Sequence, residues 1–264
     1  MSSLVCIHGF TGAPQSFDRL VCALSKRAAL RVCRPTLLGH GATASGRAAG
    51  GDAGAVGAER APRRFEEEVD RIAADIGRRG FAGAHLLGYS LGARVALGLL
   101  ARHGYLFSSA TLIGVHPGLG SREERAARVG SDERWCTLLE RRGLGAFLAA
   151  WEAQPIFSSQ RELDAAELAA QRRVRSSHSA AGLARALRVL GLGQMPDYRG
   201  ALAACPFEVR LVVGERDEKF SRIACALVRL GVRIDLELVP GVGHNVLLEA
   251  GDHVEDVVAR ALAS

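Results

Sequence analysis

The feature that most constrains this chain is a short apolar run, Ala84-His85-Leu86-Leu87, that breaks into Gly88-Tyr89-Ser90-Leu91-Gly92 and continues as a helical stretch from Leu91 to Arg102. A strand that passes into a helix through Gly-x-Ser-x-Gly has to fold as a tight strand–turn–helix unit. The glycines are needed because the backbone there comes too close for side chains. The turn lifts the Ser90 hydroxyl out of the sheet edge and sets it before the N-terminus of the following helix. Without those flanks the five residues would read as an ordinary Gly/Ser-rich turn.

The rest of the chain repeats the alternation. Apolar runs at 3–7, 30–32, 110–115, 209–213 and 236–239 read as strands. Helical spacing appears at 16–27 through Phe17, Leu20, Val21 and Leu24, from Phe65 through Val69, Ile72 and Ile76, and near 220–230 and 253–262. Short buried strands joined by helices predict an α/β architecture, a mostly parallel sheet with helices on both faces. The Gly/Ala-rich stretch 42–62 has no periodicity and reads as a flexible surface loop. Residues 121–200 break the alternation. They are rich in Arg, Glu and Ala, carry Trp135, Leu138, Leu139, Phe147, Leu148 and Trp151 at helical intervals, and offer no strand. The expected division is a core of residues 1–116 and 201–264 with a helical cap at 117–200. Such a cap belongs over the C-terminal edge of the sheet, where α/β proteins place their sites.

Composition excludes several classes. With 48% hydrophobic and 23% charged residues over 264 positions, the chain can bury a sizeable core and is not disordered. No apolar run reaches the length of a membrane span, and the N-terminal segment lacks the basic flank of a signal peptide. The six cysteines show neither Cys-x-x-Cys nor zinc-ligand spacing, so they read as reduced, mostly buried thiols of a cytoplasmic protein. The net charge of +6 comes almost wholly from arginine, Lys26 and Lys219 being the only lysines. The arginines are spread along the chain without a basic tail, which argues against nucleic acid. They suit either a composition bias or bidentate contacts to an anionic small molecule.

A serine hydroxyl needs a base. Of eight histidines, His85 lies inside a strand, His103 ends a helix, and His178 and His253 sit in stretches where a surface place is expected. His244 follows the strand at 236–239 in a loop beyond the sheet edge and fits the chain order Ser…Asp…His. Its orienting acid should follow the strand at 209–213. Glu215 and Asp217 both qualify chemically, and Asp217 is expected because Glu215 stands too close to the strand end to reach across. Backbone N–H groups of Leu91, after the serine, and Phe10, after the first strand, would form an oxyanion hole. His8 would support that loop by hydrogen bonding, and Leu38-Gly39-His40-Gly41 reads as loop architecture. No metal or organic cofactor is expected.

His8-Gly9-Phe10, Gly88-Tyr89-Ser90-Leu91-Gly92 and the Asp217/His244 pair resemble the α/β-hydrolase superfamily over nearly the whole chain. Finer matches are Ala93-Arg94, His116-Pro117-Gly118-Leu119, Arg125-Ala126-Ala127-Arg128, Trp151, Gln154-Pro155-Ile156-Phe157, Arg175-Ser176 and Gly214-Glu215-Arg216-Asp217-Glu218-Lys219-Phe220. Together these are similar to the 2-succinyl-6-hydroxy-2,4-cyclohexadiene-1-carboxylate (SHCHC) synthase family. The resemblance implies a lyase of menaquinone biosynthesis. It would eliminate pyruvate from 2-succinyl-5-enolpyruvyl-6-hydroxy-3-cyclohexene-1-carboxylate (SEPHCHC), with Ser90, Asp217 and His244 as triad. It further implies that Arg94, Arg128 and Arg175 hold substrate carboxylates and that Tyr89 and Trp151 line the pocket. A carboxylesterase or C–C bond hydrolase with Ser90 as nucleophile is the alternative, and a non-catalytic receptor of the same fold a third reading. A monomer or weak homo-oligomer is expected, with no nucleic-acid or membrane partner.

Overall fold

The computed structural model describes residues 1–42 and 61–263. The expected loop 42–62 therefore lies, apart from its ends, outside the described residues. In chain order the elements are β1 (Ser2–Ile7), α1 (Asp18–Arg27), β2 (Leu30–Cys33), α2 (Phe65–Arg78), β3 (Ala84–Tyr89), α3 (Leu91–His103) and β4 (Phe107–Ile113). Next come α4 (Arg122–Glu152), bent at Gly143, α5 (Ala165–Ser176), α6 (Ala180–Leu190) and α7 (Arg199–Ala203). The chain closes with β5 (Val209–Gly214), α8 (Glu218–Val228), β6 (Ile234–Val239), α9 (Val246–Glu249) and α10 (Gly251–Ala263).

The six strands form one sheet in the order β2-β1-β3-β4-β5-β6, every neighbouring pair parallel. Successive strand residues point to opposite faces, so Val5, Ile7, Leu86, Leu112 and Leu211 bury against α2 and α3 on one side. Leu4, Cys6, Leu87, Ile113 and Val212 bury on the other, against Leu20 and Leu24 of α1 and Val254, Val257 and Val258 of α10. Both faces are apolar, as a sheet sandwiched by helices requires. A third cluster, Cys136, Leu139, Phe147, Leu148, Leu183 and Leu187, holds α4 to α6 and is separate from the sheet's two cores.

The register matters for the site. Ile7 pairs with Gly88, Gly88 with Leu112, Ile113 with Val212 and Gly214 with Val239. The strands thus end level, and the loops that follow β1, β3, β4, β5 and β6 leave from one edge. The sequence expectations for strands differ from the structure chiefly at β4, which starts at Phe107 rather than Ala110 because Ser109 sits within the ladder opposite His85.

Candidate active site

Steric limits build the turn around Ser90. A Cβ on Gly92 would stand 1.9 Å from the Ile7 carbonyl oxygen, and one on Gly88 would stand 2.7 Å from Ala93 Cα. Only glycine lets α3 start this close to β1. Ser90 itself has φ 52° and ψ −109°, a conformation that costs energy for a residue with a side chain. Its N–H is held by the Ile113 carbonyl at 2.8 Å. Strain of this kind is stored where a side chain must project from a sharp turn.

His244 Nε2 lies 3.0 Å from Ser90 Oγ, and its Nδ1 lies 2.6 Å from Asp217 Oδ2. Asp217 caps α8, its Oδ1 accepting the Phe220 N–H at 3.2 Å, and both Asp217 and His244 are buried. Glu215 is engaged elsewhere, accepting the Gly241 N–H at 3.1 Å. Gly214 allows the end of β5 to approach the His244 loop, since its Cβ would meet the Gly243 oxygen at 2.2 Å. The three side chains that the sequence singled out therefore stand in one hydrogen-bonded row.

Ser90 and His244 open into a cavity of about 330 Å³. Phe10 and Leu91 both line it. Leu91 is the first residue of α3, so its N–H has no partner within the helix. The Phe10 ring meets Trp151 at 5.1 Å and Phe147 at 6.2 Å, which ties the loop after β1 to α4. Trp151 also lines the cavity, and its buried indole N–H meets no acceptor among the described residues.

The charge of the wall is one-sided. Arg94, Arg128 and Lys219 line the cavity, and among the described residues no Asp or Glu does. Arg94 donates to the Leu190 carbonyl at 2.9 Å, and Arg128 to Asp132 at 2.8 Å. Burial, reinforced by Arg128 and opposed by Asp132, pushes the Arg94 pKa down to about 9, so the guanidinium remains charged at neutral pH, and among the described residues it forms no ion pair. An anion placed there regains what desolvation took away.

Arg175 and Tyr89 stand elsewhere. Neither lines the cavity. The Arg175 side chain is 7% exposed, forms an ion pair with Glu152 at 3.1 Å and lies over the Phe157 ring at 5.3 Å. Phe157 is the residue that faces the cavity, so Arg175 stands behind the wall. Tyr89 packs over Gly9, whose Cβ would be 2.8 Å from the ring, and its centroid is 5.7 Å from that of His244.

Three contributions escaped sequence reasoning. Gly114, with φ 59°, leaves room for His244, because a Cβ there would lie 2.8 Å from Cε1. Lys219 reaches the cavity from the first turn of α8. His178, expected at the surface, is buried: its Nδ1 accepts the Gly41 N–H at 2.9 Å and its Nε2–H donates to the Thr11 carbonyl at 3.0 Å. His40 accepts the Thr11 N–H at 3.3 Å, and His8 accepts the Leu37 N–H at 3.2 Å. Burial lowers the pKa of all three rings, so they act as neutral hydrogen-bond brackets around the Phe10 loop. Among the described residues there is no cluster of His, Cys, Asp or Glu able to hold a metal, and no helix long and apolar enough to cross a membrane.

Residues 4–261 match the alpha/beta hydrolase family. With level parallel strands, a glycine-bounded serine turn and a histidine bridging serine to aspartate, the molecule is an enzyme of that family, and the chain belongs to it. Within the family it belongs with the SHCHC synthases. It is 31% identical over 259 residues to the 2-succinyl-6-hydroxy-2,4-cyclohexadiene-1-carboxylate synthase of Enterobacter sp. (strain 638), covering 98% of this chain and 91% of the relative. It also superposes on MenH from S. aureus with a TM-score of 0.86 at 25% identity, covering 99% and 93% of the two chains. A carboxylesterase from Nitrososphaera gargenis shares the fold alone, with a TM-score of 0.78 at 20% identity and coverage of 99% and 90%.

Proposed function

We propose that this protein eliminates pyruvate from SEPHCHC to give SHCHC, the compound for which the synthases it matches are named. The observation that carries the reading is the cavity wall: Arg94, Arg128 and Lys219 line the cavity into which Ser90 opens, and among the described residues no Asp or Glu lines it. SEPHCHC carries three carboxylates, whereas a neutral ester would gain nothing from such a wall.

In this mechanism His244, held by Asp217, takes the Ser90 proton, and the serine oxygen abstracts the proton on the carbon beside the substrate carbonyl. The electron pair moves onto the carbonyl oxygen, which the N–H groups of Phe10 and Leu91 stabilise. Its return forms the C2=C3 bond, shifts the ring double bond from C3=C4 to C4=C5 and expels the enolpyruvyl oxygen as the C5–O bond breaks, and the proton leaves with pyruvate. Ser90 is then a base and forms no covalent bond to carbon. Arg94 and Arg128 hold carboxylates, while Trp151 closes the wall. Arg175, through Phe157, and Tyr89, against Gly9, support it from behind.

The same reading makes residues 117–200 the cap and 1–116 with 201–264 the core, because the cavity takes residues from both. No cofactor has a task in these steps. Six free cysteines, four of them buried, fit a reducing compartment, the cytoplasm.

The test is to offer purified protein SEPHCHC and, in parallel, a p-nitrophenyl ester. Release of pyruvate with formation of SHCHC is expected, with ester cleavage slow. Efficient ester cleavage without SEPHCHC turnover would make Ser90 a nucleophile and the protein a hydrolase.

A further inference from the structure

We propose that Lys219 and His116 form a carboxylate subsite of their own, distinct from the Arg94–Arg128 pair. The inference rests on the SEPHCHC reading for the identity of the ligand, but its geometry stands independently.

Lys219 and His116 both flank one ring. Phe220 packs on His244 at 4.6 Å and on His116 at 6.4 Å, and Lys219 Nζ lies 5.7 Å from the Phe220 centroid. Lys219 and His116 both line the cavity. Among the described residues Lys219 has no carboxylate partner, although the chain's arginines are widely ion-paired. His116 Nδ1 accepts the Gly118 N–H at 3.2 Å, so the neutral ring carries its proton on Nε2. That Nε2–H meets no acceptor among the described residues. Burial first, then Lys219 and the nearby arginines, push the ring's pKa down to about 4, which keeps it a neutral donor beside a cation.

Lys219 also sits against the local electrostatics. It occupies the first turn of α8, the end at which the helix dipole disfavours cations. A carboxylate bound there would meet the ammonium, the imidazole N–H and the positive helix end together. Arg175, offered by resemblance as a third carboxylate ligand, is already paired with Glu152. It also lies outside the cavity lining, whereas Lys219 is part of it and supplies the third charge.

The test compares wild type with Lys219→Met, which keeps the apolar stem over Phe220, and with Lys219→Arg. Two readouts are used on the full chain: kcat/KM for SEPHCHC as a function of salt, and calorimetric binding of benzene-1,2,4-tricarboxylate. Loss of one charge-assisted contact is expected to lower kcat/KM and tricarboxylate affinity by about 10- to 100-fold. The salt dependence should flatten, the melting temperature should hold, and arginine should restore most of the loss. His116→Gln should cost less than His116→Ala. If Lys219→Met binds the tricarboxylate as wild type does, or if wild type does not bind it, the subsite is wrong. Absence of SEPHCHC turnover by wild type would instead overturn the reaction and leave the binding result to decide the subsite.

Discussion

Asp217 Oδ2 lies 2.6 Å from His244 Nδ1, and the other oxygen of the same carboxyl accepts the Phe220 N–H that opens α8. One carboxylate is thereby fixed by a helix and in turn fixes an imidazole. In the proposed mechanism this sets the tautomer that leaves Nε2 free to receive the Ser90 proton. Asp217→Asn would reverse that tautomer. A loss of about 10³- to 10⁴-fold in kcat is expected, and Ser90→Ala and His244→Ala should each lose at least as much. Steady-state kinetics with circular dichroism checks this; near-wild-type turnover in either alanine variant would refute the assignment.

Arg94→Ala and Arg128→Ala should each lower kcat/KM for SEPHCHC by about 30- to 1000-fold, because a desolvated carboxylate loses its bidentate partner. Residual cleavage of a neutral ester should change only a few-fold, and lysine should rescue only in part.

Arg175→Ala has a different expected signature. It leaves Glu152 at the back of the wall without this partner, so about 1–3 kcal/mol of stability should be lost. Thermal melts should show this as a lower midpoint, whereas Arg94→Ala should melt like wild type. Equal midpoints for Arg175→Ala and wild type would contradict the placement behind the wall.

Gly114→Ala should damage the site by crowding. Its φ of 59° is unfavourable for alanine, and the new methyl would press on His244 Cε1. A fall in kcat with little change in KM is expected, together with about 1–3 kcal/mol of destabilisation. Unchanged kcat would show that His244 can shift without cost.

Acid should weaken the fold by a calculable route. His8 and His85 are fully buried and neutral, burial pushing each pKa down to about 4 from an ordinary 6.5. Below pH 6.5 the unfolded chain binds protons that the folded chain refuses. Stability is therefore complete above that pH and is lost as pH falls from 6.5 to 4, by on the order of 3 kcal/mol for each ring. Urea midpoints across this range should fall accordingly, and His85→Gln should show a shallower slope. A flat profile would mean that the rings accept protons in place.

How far the site was legible in the sequence depends on the range of the forces involved. The serine turn is a local steric problem: Gly88 and Gly92 announce it because no other residue fits. The Ser…Asp…His order was readable because each residue follows its own strand, and strands that end level bring such loops together. The histidines were legible only in part. His178 looked like a surface residue because its partners, Thr11 and Gly41, come from remote loops. Gly114 carried no signal at all, since the ring it spares is 130 positions further on.

By itself the sequence determined the α/β alternation, the family, and the residues that meet at Ser90, because periodicity, tight turns and chain order act over a few residues at a time. Which cations face the cavity was decided only by tertiary structure. Arg94, Arg128, Arg175 and Lys219 are all basic side chains near family-like motifs, and nothing local separates them. The fold places Glu152 on Arg175 and Asp132 on Arg128, and it turns Lys219 toward the cavity with no carboxylate beside it among the described residues. A charge is available to a ligand only when packing turns it into the cavity, and that depends on what the folded chain brings within a few ångströms.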